Sequence, residues 1–116
     1  MVNPDPDFEL SDGEHDGVPV MVVQGEVDVA TAPQLRERLL AMAEGDPRLA
    51  VADLSKVTFL DSTALGVLVS GVKRFRAGGG DLRIVVTEHH IAKVFAITGL
   101  NDLFSIYPSA ARAVSA

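Results

Sequence analysis

Asp61, Ser62 and Thr63 are the residues of this chain whose types and spacing could do chemistry. An acid and two hydroxyls follow the strand-like run Leu49-Ala50-Val51-Ala52-Asp53 and Val57-Thr58-Phe59, and helical spacing begins at once after them. Along that helix Leu65, Leu68, Val69, Val72 and Phe75 fall on one face, while Ser62, Thr63, Gly66, Ser70 and Lys73 fall on the other. The hydroxyl pair therefore sits at a helix N-terminus, where backbone N–H groups lack intrahelical partners and the helix dipole is positive. Such a place suits a phosphate. The polar face behind it is small enough for another protein to approach. The chemistry offered is a modification switch, without an evident catalyst.

Other constellations are weaker. Glu88-His89-His90 could suggest a metal or a general base, but adjacent side chains on a helix diverge by about 100° and do not chelate one ion as a pair. The third histidine, His15, falls in a separate polar loop. A Ser62-based hydrolase would need a Gly-x-Ser-x-Gly elbow, which is missing, and a placed histidine. Gly78-Gly79-Gly80 lacks the spacing of a phosphate-cradling loop. No cofactor and no metal are expected. Purely structural readings stand beside the functional one. Ser62 could be an N-cap or first-turn residue, worth about 1 kcal/mol on replacement by Ala. Asp61 could be the N-cap, and Asp28 a turn residue starting the first helix.

The elements that must position these residues follow from periodicity. Phe8-Glu9-Leu10-Ser11 and Val18 to Gly25 read as strands around a polar turn, Asp12 to Gly17, with Pro19 marking an edge or bulge. After Asp28 the pattern turns helical: Thr31 and Gln34 resemble a capping box with Pro33 in the first turn. Leu35, Leu39, Met42 and Ala43 form the buried stripe, Arg36, Glu37 and Arg38 face water, and Gly45-Asp46-Pro47 stops the helix. Past the Ser62 helix come a strand, Leu82 to Val86, and a helix, Glu88 to Thr98, with Ile91, Val94 and Phe95 inward and Gly99 as left-handed cap. A short strand, Phe104 to Tyr107, and an Ala-rich helix from Ser109 complete the chain. Strands alternating with helices predict an α/β fold: a four- to five-stranded mixed β-sheet, parallel apart from the N-terminal pair, with helices packed mainly on one face.

Composition narrows the function classes. At 116 residues and 47% apolar, without Trp and with one Tyr, the chain is one domain with an aliphatic core. No window approaches the roughly 18 apolar residues of a membrane span. The start, Asn3-Pro4-Asp5-Pro6-Asp7, is acidic and Pro-rich, unlike a signal peptide, and residues 1–7 read as a disordered tail before a domain over 8–116. Absence of Cys suits a reducing cytoplasm. Ten Lys and Arg against sixteen Asp and Glu give a net charge of −6, a field that repels nucleic acid. The basic run Lys73-Arg74-Phe75-Arg76 complements a helix C-terminus, or contacts an acidic partner.

The same residues carry a resemblance. Phe59-Leu60-Asp61-Ser62-Thr63-Ala64-Leu65-Gly66 resembles the phosphorylation motif of bacterial STAS-domain anti-sigma factor antagonists. Gly25-Glu26-Val27-Asp28 is similar to that family's N-terminal Gly-Glu-apolar-Asp element, and Thr98-Gly99-Leu100 to its C-terminal Gly-Leu landmark. The three keep their order over roughly Phe8 to Val114. Ala64 departs from the family's usual Gly, beside the expected phosphosite, where a methyl could hinder a partner.

The resemblance implies a single STAS-like domain, not an enzyme, that binds an anti-sigma factor when unphosphorylated and so frees a sigma factor. It implies phosphorylation of Ser62, with Thr63 the alternative, by a partner that is also a Ser/Thr kinase of the ATPase fold shared with histidine kinases. A separate Ser/Thr phosphatase would reverse it. The expected docking surface is Asp28, Asp61, Ser62, Thr63, Ala64, Gly66, Ser70 and Lys73. Alternatives are a STAS-type soluble subunit of a transport complex and a small nucleotide-binding domain using the Ser62 helix start. Neither nucleic acid nor membrane is an expected partner.

Overall fold

The computed structural model describes residues 7–45 and 48–116. Residues 1–6 of the tail predicted over 1–7, and Asp46 and Pro47 of the predicted helix stop, lie outside the described residues, while Asp7 is held by a backbone bond to Glu26. Five strands form one sheet in the order β1-β2-β3-β4-β5: Phe8–His15, Val18–Val27, Leu49–Leu60, Asp81–Val85 and Ile106–Tyr107. β1 and β2 are antiparallel and every other pair is parallel, as alternating strands and helices require. The helices are α1 (Ala32–Glu44), α2 (Ser62–Ala77), α3 (His89–Ile97) and α4 (Ala110–Ser115), with a 3-10 turn at Leu100–Asp102.

Alternation along the strands divides the core in two. Met21, Val23, Ala50, Ala52, Leu54 and Ile84 face a large cluster with Leu35, Leu39, Leu65, Leu68, Val72, Phe75, Ile91 and Phe95 from α1, α2 and α3. Their neighbours Val20, Val51 and Val85 face the other side, covered by Ala113 and Val114 of α4. Arg83 fastens α4 there. Its Nη1 donates to the carbonyls of Ala113 at 2.6 Å and Ala116 at 2.8 Å, while its guanidinium lies 5.6 Å from the Tyr107 ring centre. Burying the larger aliphatic side chains contributes roughly 1.5–3 kcal/mol each, so the three-helix face dominates stability.

Four elements differ from the sequence-based expectation. The predicted turn at Asp12 to Gly17 shrinks to Asp16-Gly17, with φ of 51° and 82°. A two-residue turn of that kind suits strand twist, so Asp12 to His15 continue β1 despite their polarity. β3 is continuous, not broken at Leu54 to Lys56, because two extra residues are absorbed where its register against β2 shifts. The last strand contracts to Ile106–Tyr107. The capping box is not formed: Thr31 makes no side-chain bond to α1 and turns its hydroxyl back toward β2. Pro19 fits its place, preceding Val20, the first β2 residue paired with β3.

Gly25 explains one sequence landmark physically. Its φ is +95°, and a Cβ there would lie 1.7 Å from the Asp7 carbonyl oxygen. That carbonyl accepts from the Glu26 N–H at 2.8 Å, so the entry to β1 crosses where only glycine fits.

Candidate docking and modification site

The site is built where β2 and β3 end side by side. Val27 pairs with Leu60, and the Asp61 N–H donates to the Val27 carbonyl at 3.2 Å. Asp28 and Asp61 are therefore the next residues on two adjacent parallel strands, whose spacing is about 4.8 Å. The structure brings together two acids that are 33 positions apart in sequence.

Asp61 caps α2. It has extended backbone, and its Oδ1 accepts from the Ala64 N–H at 2.9 Å. This leaves Ser62 and Thr63 as the first two helical residues, both exposed, with no hydrogen-bond partner for either hydroxyl among the described residues. Ser62 is thus not the cap. Its own N–H and that of Thr63 belong to the unpaired first turn, where an anion is favoured.

Ser62, Gly66 and Ser70 then repeat at four-residue steps along the outer face, and Lys73 lies roughly 16 Å from Ser62 along the axis. All four are exposed. A Cβ added at Gly66 would meet nothing within 4 Å. Ala64 is the exception among the expected docking residues. Its methyl is fully buried in the three-helix core, on the Leu68 and Val72 stripe, so it neither presents itself to a partner nor obstructs one. The i, i+4 relation of Ala64 to Leu68 was a signal for this.

Asp28 is partly buried and its Oδ1 accepts from the N–H groups of Ala30 at 2.9 Å and Thr31 at 3.1 Å. It is a turn residue in the structural sense, and its Oδ2 has no partner among the described residues. The environment is acidic, with Glu26 exposed nearby on β2. Two exposed apolar residues next to these strand ends were not anticipated: Val29 is 70% exposed and Phe59 47%. Strict alternation from the buried Val57 would turn Phe59 inward. The register shift between Gly25 and Glu26 inserts a residue, so Leu60 goes in and Phe59 out.

The remaining candidates have ordinary partners. His90 Nε2 lies 2.9 Å from the Thr58 carbonyl oxygen, and Nδ1 3.4 Å from Glu88. His15 lies 3.6 Å from Asp16 in the hairpin. Among the described residues no group of His, Cys, Asp and Glu could hold a metal ion, and no helix is long and apolar enough to cross a membrane. At the α2 C-terminus Arg76 pairs with Asp81 at 3.1 Å and Phe75 is buried, leaving Lys73 and Arg74 exposed.

The STAS domain family model matches residues 10–113. The anti-sigma-B factor antagonist of Bacillus subtilis is 39% identical over 84 residues, spanning 72% of this chain and 76% of that protein. The crystal structure of an anti-sigma factor antagonist from Mycobacterium paratuberculosis superposes with a TM-score of 0.86 at 32% identity, covering 96% of this chain and 95% of the other. The Bacillus cell fate determinant SpoIIAA, solved in its phosphorylated form, shares the fold with a TM-score of 0.67 at 20% identity, over 93% of this chain and 96% of its own.

Proposed function

This chain belongs to the STAS-domain family, and on that premise we propose that it is an anti-sigma factor antagonist, a regulator of transcription that works by partner switching. Unphosphorylated, it docks on an anti-sigma factor through the outer face of α2 and the strand ends beside it, and the sigma factor goes free. Phosphorylation of Ser62 ends the docking. The observation that carries this reading is Ser62 itself: an exposed, unpartnered hydroxyl at the first position of a helix whose next outward turn is an exposed glycine.

Physics supports a switch by repulsion. Phosphate adds about −1.5 to −2 charge at Ser62, next to Asp61 and close to Asp28. The helix tolerates it, since the first-turn N–H groups and the dipole favour an anion. The partner does not: burying a dianion among carboxylates at an interface costs several kcal/mol, and about 1.4 kcal/mol is a decade of affinity. The nearest cation on the same face, Lys73, is too distant along the helix to neutralise it. A kinase needs only an accessible hydroxyl and brings its own base and Mg²⁺. In this reading the anti-sigma factor is also that kinase, a separate Ser/Thr phosphatase resets the switch, the chain is itself not an enzyme, and all of them act in the cytoplasm. Thr63, exposed and adjacent, is the alternative acceptor.

Affinity purification from the native cell, paired with intact-mass analysis of wild type, Ser62→Ala and Ser62→Asp, tests it. The expected outcome is an ATPase-fold anti-sigma factor with wild type and Ser62→Ala, none with Ser62→Asp, and a single phosphate mapping to Ser62. Recovery of the same partner by all three, with no phosphate at Ser62 or Thr63, would make Ser62 an ordinary first-turn residue.

A further inference from the structure

The turn between β2 and α1 is held by more polar machinery than a surface connection needs. Thr31, just before α1, is 1% exposed, the one buried polar side chain among the described residues. Its Oγ1 accepts from the Asp28 N–H at 3.0 Å and donates to the Glu26 carbonyl at 3.1 Å, with Asp28 Oδ1 also within 3.3 Å. Asp28 Oδ1 in turn receives the N–H groups of Ala30 and Thr31. Two side chains thereby close a small ring of bonds through residues 26–31. A buried hydroxyl is costly unless satisfied, and this one is satisfied twice.

What the ring holds outward is Val29, 70% exposed. A single exposed valine is unremarkable by itself. Here it stands on a locked turn directly after Asp28, and the Val27 carbonyl on the near side of that turn holds the Asp61 N–H. Glu26, whose carbonyl anchors Thr31, pairs with the half-exposed Phe59. Val29 and Phe59 thus flank the same acidic strand ends that present Ser62.

We propose that Thr31 is a positioning residue of the docking surface, and that the turn it locks offers Val29 as an apolar anchor to the anti-sigma factor. This rests on the reading given under Proposed function. The occupant is the same partner, through an apolar pocket whose rim carries cations to meet Glu26, Asp28 and Asp61. Thr31 acts only through the turn. Asp28 spends one carboxylate oxygen on the turn, and the other has no partner among the described residues.

The test uses the purified anti-sigma factor recovered with the wild-type chain, titrated against Thr31→Val, Thr31→Ser and Val29→Ser. Amide hydrogen exchange of each free variant is followed at Asp28 and Ala30. Thr31→Val keeps the shape and removes the hydroxyl, so exchange at Asp28 rises and affinity falls, each by about tenfold. Thr31→Ser restores both. Val29→Ser leaves exchange unchanged and still weakens binding, by about fivefold. Wild-type affinity in both Thr31→Val and Val29→Ser overturns the proposal while leaving the switch reading intact. A wild-type chain that binds no anti-sigma factor overturns the switch reading, and this proposal with it. Should Thr31→Val fail to fold, Val29→Ser decides alone, since its side chain is mostly in water.

Discussion

Helix α2 carries two glycines on opposite faces, and they have different reasons to be there. A Cβ at Gly71 would stand 3.1 Å from Leu39 Cδ1 and 3.2 Å from Leu82 Cδ2, so α1 and β4 press against that backbone. A Cβ at Gly66 would meet nothing within 4 Å, and its backbone has no positive φ to demand glycine. Glycine in an exposed helix interior costs about 1 kcal/mol relative to Ala. Gly71 offsets that cost inside the chain, through close packing. Gly66 offsets it nowhere inside the chain. The inner face of α2 is written for folding, and in the proposed switch the outer face serves a partner.

The sharpest way to break this division is on the inner face. Leu68 is fully buried, and Leu68→Ala should lower unfolding free energy by about 3 kcal/mol in urea titration, leaving partner affinity within about twofold at temperatures where the variant is folded. A comparable affinity loss would mean that the faces are not separable. Gly71→Val should come next, at about 2 kcal/mol, because Leu39 and Leu82 must both move. Gly66→Ala should do the opposite, raising stability by about 1 kcal/mol while weakening the anti-sigma factor complex about tenfold by calorimetry. An equally tight complex would remove close approach from the account. Ser70→Ala is the smallest, with stability changing by no more than about 0.5 kcal/mol, since its hydroxyl is exposed and unpartnered.

The same division explains what could be read from the sequence. The α2 faces were legible because a 3.6-residue period survives any tertiary surroundings: Leu65, Leu68, Val72 and Phe75 are buried, and Ser62, Gly66, Ser70 and Lys73 exposed. The mixed sheet, parallel apart from its N-terminal pair, followed from alternating elements. The misses concern places where a local pattern is overruled by something non-local. Ala64 is expected on the docking surface because it stands at the family's Gly position beside Ser62, although it sits one turn before Leu68 on the buried stripe. Phe59 emerges only because β3 carries extra residues against β2, and a bulge leaves no trace in composition. Thr31 looked like a helix cap, since Ser and Thr before a helix usually are. Its hydroxyl is claimed instead by the Glu26 carbonyl on β2, a contact that the local pattern does not encode. Ala64, Phe59 and Thr31 all lie within or beside the expected docking surface.

In the proposed switch, one charge at Ser62 turns off docking without remaking the fold. The direct measurement is calorimetric titration of the anti-sigma factor with two homogeneous preparations, unmodified and fully phosphorylated at Ser62, each checked by amide NMR spectra. Phosphorylation should weaken binding by at least about a hundredfold, with shift changes confined to the first turn of α2 and the adjoining strand ends. Equal affinity in the two forms, or a spectrum altered throughout the sheet, would contradict it.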